Sequence, residues 1–265
     1  MSNSTTSFLR SWGSDPQFDS HQPAIEPAPR PTTPAEAWRT AEKISPAWEV
    51  DALCWPDVVL RLEQHHAQTV TRVSQHIAAC NQAGLKVLAL TAADRGTGRT
   101  TVAMYLARAA SFASLRVALI DADLLYPSLT DQVQLDAPNS WTDCISKNLA
   151  IDEVAIQSAQ ENITIYPLLE PQPASFLAEH QQPIADFITK LASEYDLVIL
   201  DSSIISNLSD NPSNTLVGIA NPSAIQAAIV VTDAELSSHE KTDEACKQLQ
   251  SLGLSSVGIV ENFRP

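Results

Sequence analysis

Two glycines in one short turn mark the segment of the chain best suited to hold a phosphate group. The turn Ala93–Gly98 follows an apolar run and leads directly into a helical pattern. A strand, a glycine turn and a helix N-terminus direct several backbone N–H groups to one point, at the positive end of the helix dipole. Glycine permits backbone angles and a close approach that a side chain would prevent. The residues expected to bind the phosphates of a nucleotide are Arg95, Gly96, Thr97, Gly98, Arg99, Thr100 and Thr101.

The turn departs from the strict phosphate-loop pattern GxxxxGK[ST] at two positions. Ala93 stands at the first glycine and Arg99 at the lysine, while Thr100 keeps the hydroxyl that binds Mg²⁺ in such loops. Taken alone, the turn fits an ordinary glycine turn before a core helix about as well as it fits a phosphate site. The surrounding sequence has to decide between these two interpretations.

Carboxylates follow two further apolar runs of the chain. Asp121 and Asp123 come at the end of one run, and Asp201 ends the other. The carboxyl ends of parallel strands meet at one edge of a sheet, which is also the edge where the glycine turn lies. Carboxylates at that edge can hold Mg²⁺ opposite the phosphates, although any one of them alone is explained as a loop starter or helix cap. Because all three coincide with the glycine turn, the sequence favours a nucleotide site.

Four segments, in this order, resemble the motifs of the bacterial P-loop tyrosine kinases. That family belongs to the deviant Walker-A group, which also contains the MinD- and ParA-like ATPases. The segments are LALTAADRGTGRTTVAMYLARAA, RVALIDADLLYPSL, YDLVILDSS and SVGIVENF. The similarity covers roughly residues 85–262, and DADLLYPSL is its most specific part.

The resemblance implies ATP and Mg²⁺ as cofactors and gives a role to each matching residue. Residues 96–101 resemble the Walker A loop, Asp201 the Walker B carboxylate, and Asn262 a residue near the nucleotide base. Asp121 would be the group nearest the attacking hydroxyl. The implied catalytic residues are Asp121, Asp123 and Arg99. The implied Mg²⁺ ligands are Thr100, Asp121 and Asp201.

The chain departs from that family at positions that matter for phosphoryl transfer. Arg99 replaces the Walker lysine, and a planar guanidinium does not follow developing charge as a compact ammonium does. Asp94 stands where the MinD and ParA group carries its signature lysine. Leu125 and Tyr126 replace the arginines that usually follow DADL, and no tyrosine follows Tyr195. We therefore expect slow phosphoryl transfer and no autophosphorylation of a tyrosine-rich tail.

Apolar runs and amphipathic stretches alternate from residue 86 onward and predict a doubly wound α/β domain with a mostly parallel sheet, like that of P-loop NTPases. Continuous apolar runs of this length are typical of parallel strands that are covered on both faces. The predicted strands are Lys86–Ala92, Arg116–Asp121, Ile163–Pro167, Leu197–Asp201, Ala227–Thr232 and Ser256–Val260. The predicted helices are Thr100–Ala113, Trp141–Lys147, Ser175–Ser193 and Glu240–Ser251.

Composition divides the chain into three parts. Residues 1–50 hold seven of the seventeen prolines, which fix φ and remove backbone donors, so this segment is predicted to be a disordered, Pro-rich tail. Residues 51–84 carry apolar side chains at spacings of three and four between Pro56 and Gly84, and predict one long helix packed on the domain. Residues 85–265 form the P-loop NTPase-like domain.

Four of the five tryptophans lie within the first 55 residues. Trp38 and Trp48 fit two interpretations equally well, as anchors for a partner protein or as contacts with the domain itself. Trp55 is expected in the core.

Charge and cysteine content exclude several classes of function. The net charge is −15, and residues 120–265 carry five Lys and Arg against twenty-one Asp and Glu. Nucleic-acid binding needs a basic face, so it is not expected. The four cysteines form no CxxC pair, which favours buried thiols in a reducing compartment over disulfides or zinc sites. With no signal peptide and no long apolar run, we expect a cytoplasmic protein without direct membrane insertion, which a partner recruits to the inner face of the membrane.

Three functions are compatible with these motifs. The first is an ATP-binding protein of the tyrosine-kinase type that regulates polysaccharide synthesis and export, with a membrane chain-length or export protein as the partner that meets the N-terminal tail. The second is a catalytically weak or inactive adaptor of the same machinery, which the two missing lysines favour. The third is a MinD- or ParA-like positioning ATPase, for which neither a membrane helix nor a basic DNA face is found. Assembly into a homo-oligomer is left open.

Overall fold

The computed structural model describes residues 10–11, 43–173, 175–205 and 224–262, whose strands form one nine-stranded sheet in the order β1-β2-β5-β6-β4-β7-β3-β8-β9. The strands are β1 (Arg10–Ser11), β2 (Trp48–Val50), β3 (Val87–Ala92), β4 (Val117–Ala122), β5 (Ile156–Ser158), β6 (Ile163–Tyr166), β7 (Leu197–Ser202), β8 (Ala227–Thr232) and β9 (Ser256–Glu261). The helices are α1 (Asp57–His65), α2 (Ala67–Gln82), α3 (Arg99–Phe112), α4 (Leu129–Gln132), α5 (Asp143–Ser146), α6 (Ile151–Val154), α7 (Ser175–Glu179), α8 (Gln181–Glu194) and α9 (His239–Ser251).

The six strands from β6 to β9 along the sheet are all parallel, which confirms the predicted fold class. Every residue of β3, β4 and β7 is buried, as their continuous apolar sequences predict. Helices α1 to α3 contribute to the core on one face of the sheet, and α8 and α9 to the core on the other. The carboxyl ends of β3, β7 and β4 therefore lie side by side between two helical layers, where open α/β sheets bind ligands.

The predicted single helix of residues 51–84 is in the structure two helices. His66 leaves the helical region, with φ −129° and ψ 41°, and separates α1 from α2. A straight helix over both would be about 39 Å long, against about 21 Å for α3, the helix on which they pack. The bend lets both segments follow α3 instead of running past it.

The predicted helix Ser175–Ser193 is also divided, by His180 with φ −124°. Pro183 explains the break. In a continuous helix its ring would clash with the carbonyl of Glu179 and its missing N–H would leave that carbonyl unpaired. In the first turn of α8 neither problem arises.

The ordered domain begins before residue 51, so the predicted tail boundary is too late. The strand β2 pairs in parallel with β5, and Arg10–Ser11 pair antiparallel with β2. Ile44 and Val50 are buried, and Ser45 donates its N–H to Asp152 Oδ1. A three-residue strand is too short to show a period in the sequence, which is why it was missed. The rest of the predicted tail, residues 1–9 and 12–42 with Trp38, lies outside the described residues.

Two of the N-terminal tryptophans contact their own domain. Trp55 lies in the core, as predicted, and its Nε1 donates to Glu161 at 2.7 Å. Trp48 is half-buried against the same core, and its Nε1 donates to the carbonyl of Glu153. Of the two interpretations of Trp48, the contact with its own domain is therefore the one that the structure shows. Of the four cysteines, only Cys144 is fully buried, so the expectation of buried thiols holds for one alone.

Candidate nucleotide site

The glycine turn connects the end of β3 to the start of α3. Gly96 and Gly98 have φ of +78° and +83°, a region that favours glycine. Gly98 is the N-cap of α3 and has no side chain to cap the first turn, so the N–H groups of that turn receive no hydrogen bond from the N-cap residue. The turn lines a pocket of about 350 Å³. Its lining residues are Asp94, Arg95, Gly96, Thr97, Gly98, Arg99, Thr100, Thr101, Asp123, Tyr126, Ser128, Gln132 and Ile204.

Asn262 holds the backbone of this turn. Its Nδ2 donates to the carbonyl of Thr97 at 2.9 Å, and its own N–H donates to Thr232 at the end of β8. A Cβ at position 98 would collide with Asn262 Nδ2, so a larger residue there would have to displace the Asn262 side chain in addition to adopting an unfavourable φ. The predicted contact of Asn262 with a nucleotide base stays a prediction.

The three predicted carboxylates meet at the carboxyl edge of the sheet. Asp121 and Asp201 are register partners on β4 and β7, and Asp123 lies just beyond β4. Trp141 Nε1 donates to the backbone carbonyl of Asp121 at 2.8 Å and fixes the end of that strand. The sequence did not single out Trp141, although a fully buried indole needs such an acceptor.

The carboxylate of Asp121 is held by backbone donors. Its Oδ2 accepts the N–H groups of Ser128 and Leu129, both at 2.9 Å, and its Oδ1 accepts that of Asp123. Burial raises the pKa of Asp121 to about 8, and the negative charge of Asp201 adds to that effect, while the three N–H groups oppose it. Asp121 is thus an anchor for the loop that follows β4.

Arg99 joins the other two carboxylates. Its Nε lies 2.7 Å from Asp201 Oδ1, and its Nη2 lies 2.6 Å from Asp123 Oδ2. The Arg99 side chain is 11% exposed and that of Asp201 only 1%, so this is a largely buried ion-pair network. Burial opposes the charged form of Arg99, but Asp201 and Asp123 outweigh it and raise its pKa. The guanidinium is always protonated.

The residues as arranged do not fit a bound Mg²⁺. One oxygen each of Asp123 and Asp201 accepts a hydrogen bond from Arg99, and both oxygens of Asp121 accept backbone N–H groups. Asp123 Oδ1 likewise accepts from the N–H of Tyr126. Within the described ranges, no group of three or more His, Cys, Asp or Glu side chains is placed to hold a metal ion. Thr100 lies in the first turn of α3 and lines the pocket, as expected.

Two contacts at the pocket rim were not anticipated. Asp94 Oδ1 pairs with Lys241 Nζ of α9 at 2.8 Å, beside a second pocket of about 290 Å³. The guanidinium carbon of Arg95 lies 3.1 Å from the ring centroid of Tyr126, which is 56% exposed. The pairing of Lys241 could have been predicted, because an aspartate beside a phosphate site is expected to have a counter-ion. Lys241 is one of only five Lys and Arg residues after position 119.

Sequence comparison finds relatives of two kinds. The chain is 24% identical over 185 residues to a MinD-type septum site-determining protein of Guillardia theta, covering 68% of this chain and 65% of that protein. It is 25% identical over 186 residues to EpsB of Ralstonia solanacearum, described as a tyrosine-protein kinase, covering 69% of this chain and 24% of EpsB. The chain thus spans less than two thirds of either relative. No protein-family model matches it.

Structural comparison points to the same two groups. The VpsO kinase domain superposes with a TM-score of 0.63 at 20% identity, covering 77% of this chain and 98% of that one. MinD of Pyrococcus horikoshii, solved with Mg-ADP, superposes with a TM-score of 0.53 at 21% identity, covering 68% of this chain and 69% of that one. No helix in the described part of the chain is long and apolar enough to cross a membrane. The resemblance seen in the motifs is confirmed, and the chain has the P-loop fold that bacterial tyrosine kinase domains share with MinD.

Proposed function

We propose that the chain binds the phosphates of ATP in the turn Ala93–Gly98 and the first turn of α3. The observation that carries this proposal is the turn itself, with two glycines at positive φ opening an uncapped helix beside the strand-end carboxylates. Backbone N–H groups in this arrangement supply much of the affinity of phosphate sites. Arg95 and Arg99 line the same pocket and supply positive charge.

We place this activity in polysaccharide synthesis and export, as in the tyrosine kinases that the chain resembles. A membrane chain-length or export protein is the proposed partner, and the N-terminal segment that carries Trp12 and Trp38 is its proposed contact. The coverage of almost the whole VpsO kinase domain supports the kinase-type fold on which this assignment rests. Trp48 is not included in the proposed contact, because it packs against the core of its own domain and donates to the carbonyl of Glu153.

Calorimetric titration with ATP tests the binding proposal. Arg95→Ala should weaken binding by about tenfold, the lower end expected for a hydrogen bond to a charged group, since Arg95 is exposed. The matched control is Arg72→Ala, which removes the same charge from an exposed position on α2. Absence of binding at millimolar ATP would refute the proposal, and equal weakening by both variants would reduce it to a nonspecific charge effect.

The Arg99 ion pairs favour a second function, that of an adaptor with little or no phosphoryl transfer. A guanidinium fixed on Asp123 and Asp201 cannot follow the charge that develops between the β- and γ-phosphates. Incubation with labelled ATP separates the two functions. Release of phosphate or formation of phosphotyrosine at about 1–100 per second, the usual range of kinases, would rule out the adaptor.

A further inference from the structure

The position of Arg99 decides what can neutralise the carboxyl edge of the sheet. Its guanidinium lies between Asp123 and Asp201, within 2.6 and 2.7 Å of one oxygen of each. A Mg²⁺ ion requires near-octahedral oxygen ligands at about 2.0–2.1 Å. An ion placed between these two oxygens would therefore have to displace Arg99 and break both ion pairs.

The remaining carboxylate offers no substitute site. Asp121 accepts three backbone N–H groups, two of them from Ser128 and Leu129 at the start of α4. A metal ion bound to Asp121 Oδ2, which already accepts two of these N–H groups, would have to release the loop after β4. All three carboxylates are thus neutralised or held by the protein's own donors.

Arg99 keeps donors for a ligand while it holds the carboxylates. The guanidinium has five N–H groups, and its contacts with Asp123 and Asp201 use two of them. The side chain lines the pocket formed by the glycine turn. A cation in this position can neutralise the carboxylates and donate to a phosphate at the same time, which is the arrangement that a divalent ion would otherwise provide.

We infer that Arg99 takes the place of the divalent cation, so that this site binds a nucleoside di- or triphosphate without Mg²⁺. The inference rests on the proposed nucleotide binding and adds how the charge of the phosphates is balanced. Arg95 is the second cation of the pocket. Asp94 adds no uncompensated charge, because Lys241 pairs with it.

Calorimetry of the full chain with ATP and with ADP, in excess MgCl₂ and again in EDTA, tests this inference. The expected result is binding in both conditions, with dissociation constants that agree within about threefold. Binding in MgCl₂ that weakens tenfold or more in EDTA would overturn the inference and leave the proposed function intact. Absence of binding in both conditions would overturn both.

The variant Arg99→Lys provides a second test. A lysine has a compact ammonium on a flexible stem instead of a rigid planar fork, so it should hold Asp123 and Asp201 less firmly and leave them accessible to a metal. This variant should lose at least tenfold in ATP affinity on addition of EDTA. The matched control, Arg116→Lys at an exposed Arg–Asp pair, should behave as the wild type does.

Manganese alone gives a readout that is independent of nucleotide. In electron paramagnetic resonance titrations at 150 mM salt, Arg99→Lys should bind one Mn²⁺ that neither the wild type nor Arg116→Lys binds. Equal Mn²⁺ binding by wild type and Arg99→Lys would overturn the inference. If circular dichroism shows that Arg99→Lys does not fold, the wild-type titrations with Mn²⁺ and with EDTA still decide the question.

Discussion

Replacing Arg99 by methionine would leave two carboxylates at the edge of the sheet without a counter-ion. The Asp201 side chain is 1% exposed and that of Asp123 is 10% exposed, so water cannot take over the role of the guanidinium. Breaking a buried ion pair by removing one partner costs about 3–5 kcal/mol. Arg99→Met should therefore lower the free energy of unfolding by about that amount at pH 7.

The carboxyl groups left without Arg99 can take up protons, which limits the loss of stability and makes it depend on pH. Protonating a carboxyl of ordinary pKa 3.9 costs about 4 kcal/mol at pH 7 but only about 1.5 kcal/mol at pH 5. Burial without a counter-ion disfavours the charged form of any carboxyl group, so the stability of the variant should fall as the pH rises through the range in which carboxyl groups ionise. The difference between wild type and Arg99→Met should thus be largest at pH 7 and clearly smaller at pH 5.

Urea unfolding followed by circular dichroism measures both quantities. For a domain of this size, the expected loss at pH 7 lowers the melting temperature by about 2–4 °C per kcal/mol. The control is Arg116→Met, which breaks an Arg–Asp pair whose side chains are 54% and 30% exposed. Exposed pairs contribute less than about 1 kcal/mol. If Arg99→Met lost no more than Arg116→Met, the buried ion-pair network would be refuted.

Three further predictions concern other parts of the molecule. Gly98→Ala should lower the free energy of unfolding by at least about 1–2 kcal/mol because of the positive φ alone. Asn262→Ala should lower it by about 1 kcal/mol because a hydrogen bond is lost. Since an alanine at position 98 would collide with Asn262, the double variant should lose less stability in urea than the sum of the two single variants. Deletion of residues 1–42 should leave the melting temperature nearly unchanged, whereas deletion of residues 1–50 should lower it by several degrees. The longer deletion removes the buried side chains of Ile44 and Val50, and burial of one such side chain contributes about 1.5–3 kcal/mol. Equal effects of the two deletions would contradict this domain boundary. Burial raises the pKa of the Cys144 thiol, so mass spectrometry after iodoacetamide treatment at pH 8 should find this cysteine alkylated last, and early labelling would contradict its burial.

The sheet could be predicted from the sequence because its central strands are buried on both faces. The bounds of β8, Ala227–Thr232, match the prediction at both ends. Those of β3 and β7 differ from it by one residue at one end, and those of β4 by one residue at each end. Such strands are continuous apolar runs, and their ends coincide with a change to polar residues. The short strand β2 has no such signal, because its pairing with β5 depends on tertiary contacts alone.

The helix breaks differ in how much the sequence says about them. Pro183 marks the start of α8 directly, since proline is accepted in a first turn and excluded from a helix interior. The break at His66 has no comparable mark. It follows from the length of α3, on which α1 and α2 pack, and that is a property of the assembled domain.

The members of the candidate site could be predicted, but their partners could not. The order of the motifs places Asp121, Asp123 and Asp201 beside the glycine turn, and the structure brings them together there. The resemblance assigns Arg99 to phosphates and the carboxylates to Mg²⁺. In the folded chain a buried guanidinium beside two carboxylates pairs with them, because leaving either charge unpaired is costly. These ion pairs depend on the burial of Arg99 and the two carboxylates in the folded chain, which cannot be read from the sequence.

A crystal structure with ADP and Mn²⁺ tests the central claim most directly, because it locates the phosphates and the metal independently. The claim is that the glycine turn holds the phosphates while Arg99 neutralises the carboxylates. The expected map has the β-phosphate within hydrogen-bond distance of the N–H groups of residues 96–101, Arg99 on Asp123 and Asp201, and no anomalous manganese peak at these carboxylates. A manganese peak between Asp123 and Asp201, with Arg99 displaced, would contradict the account, as would a nucleotide bound anywhere else.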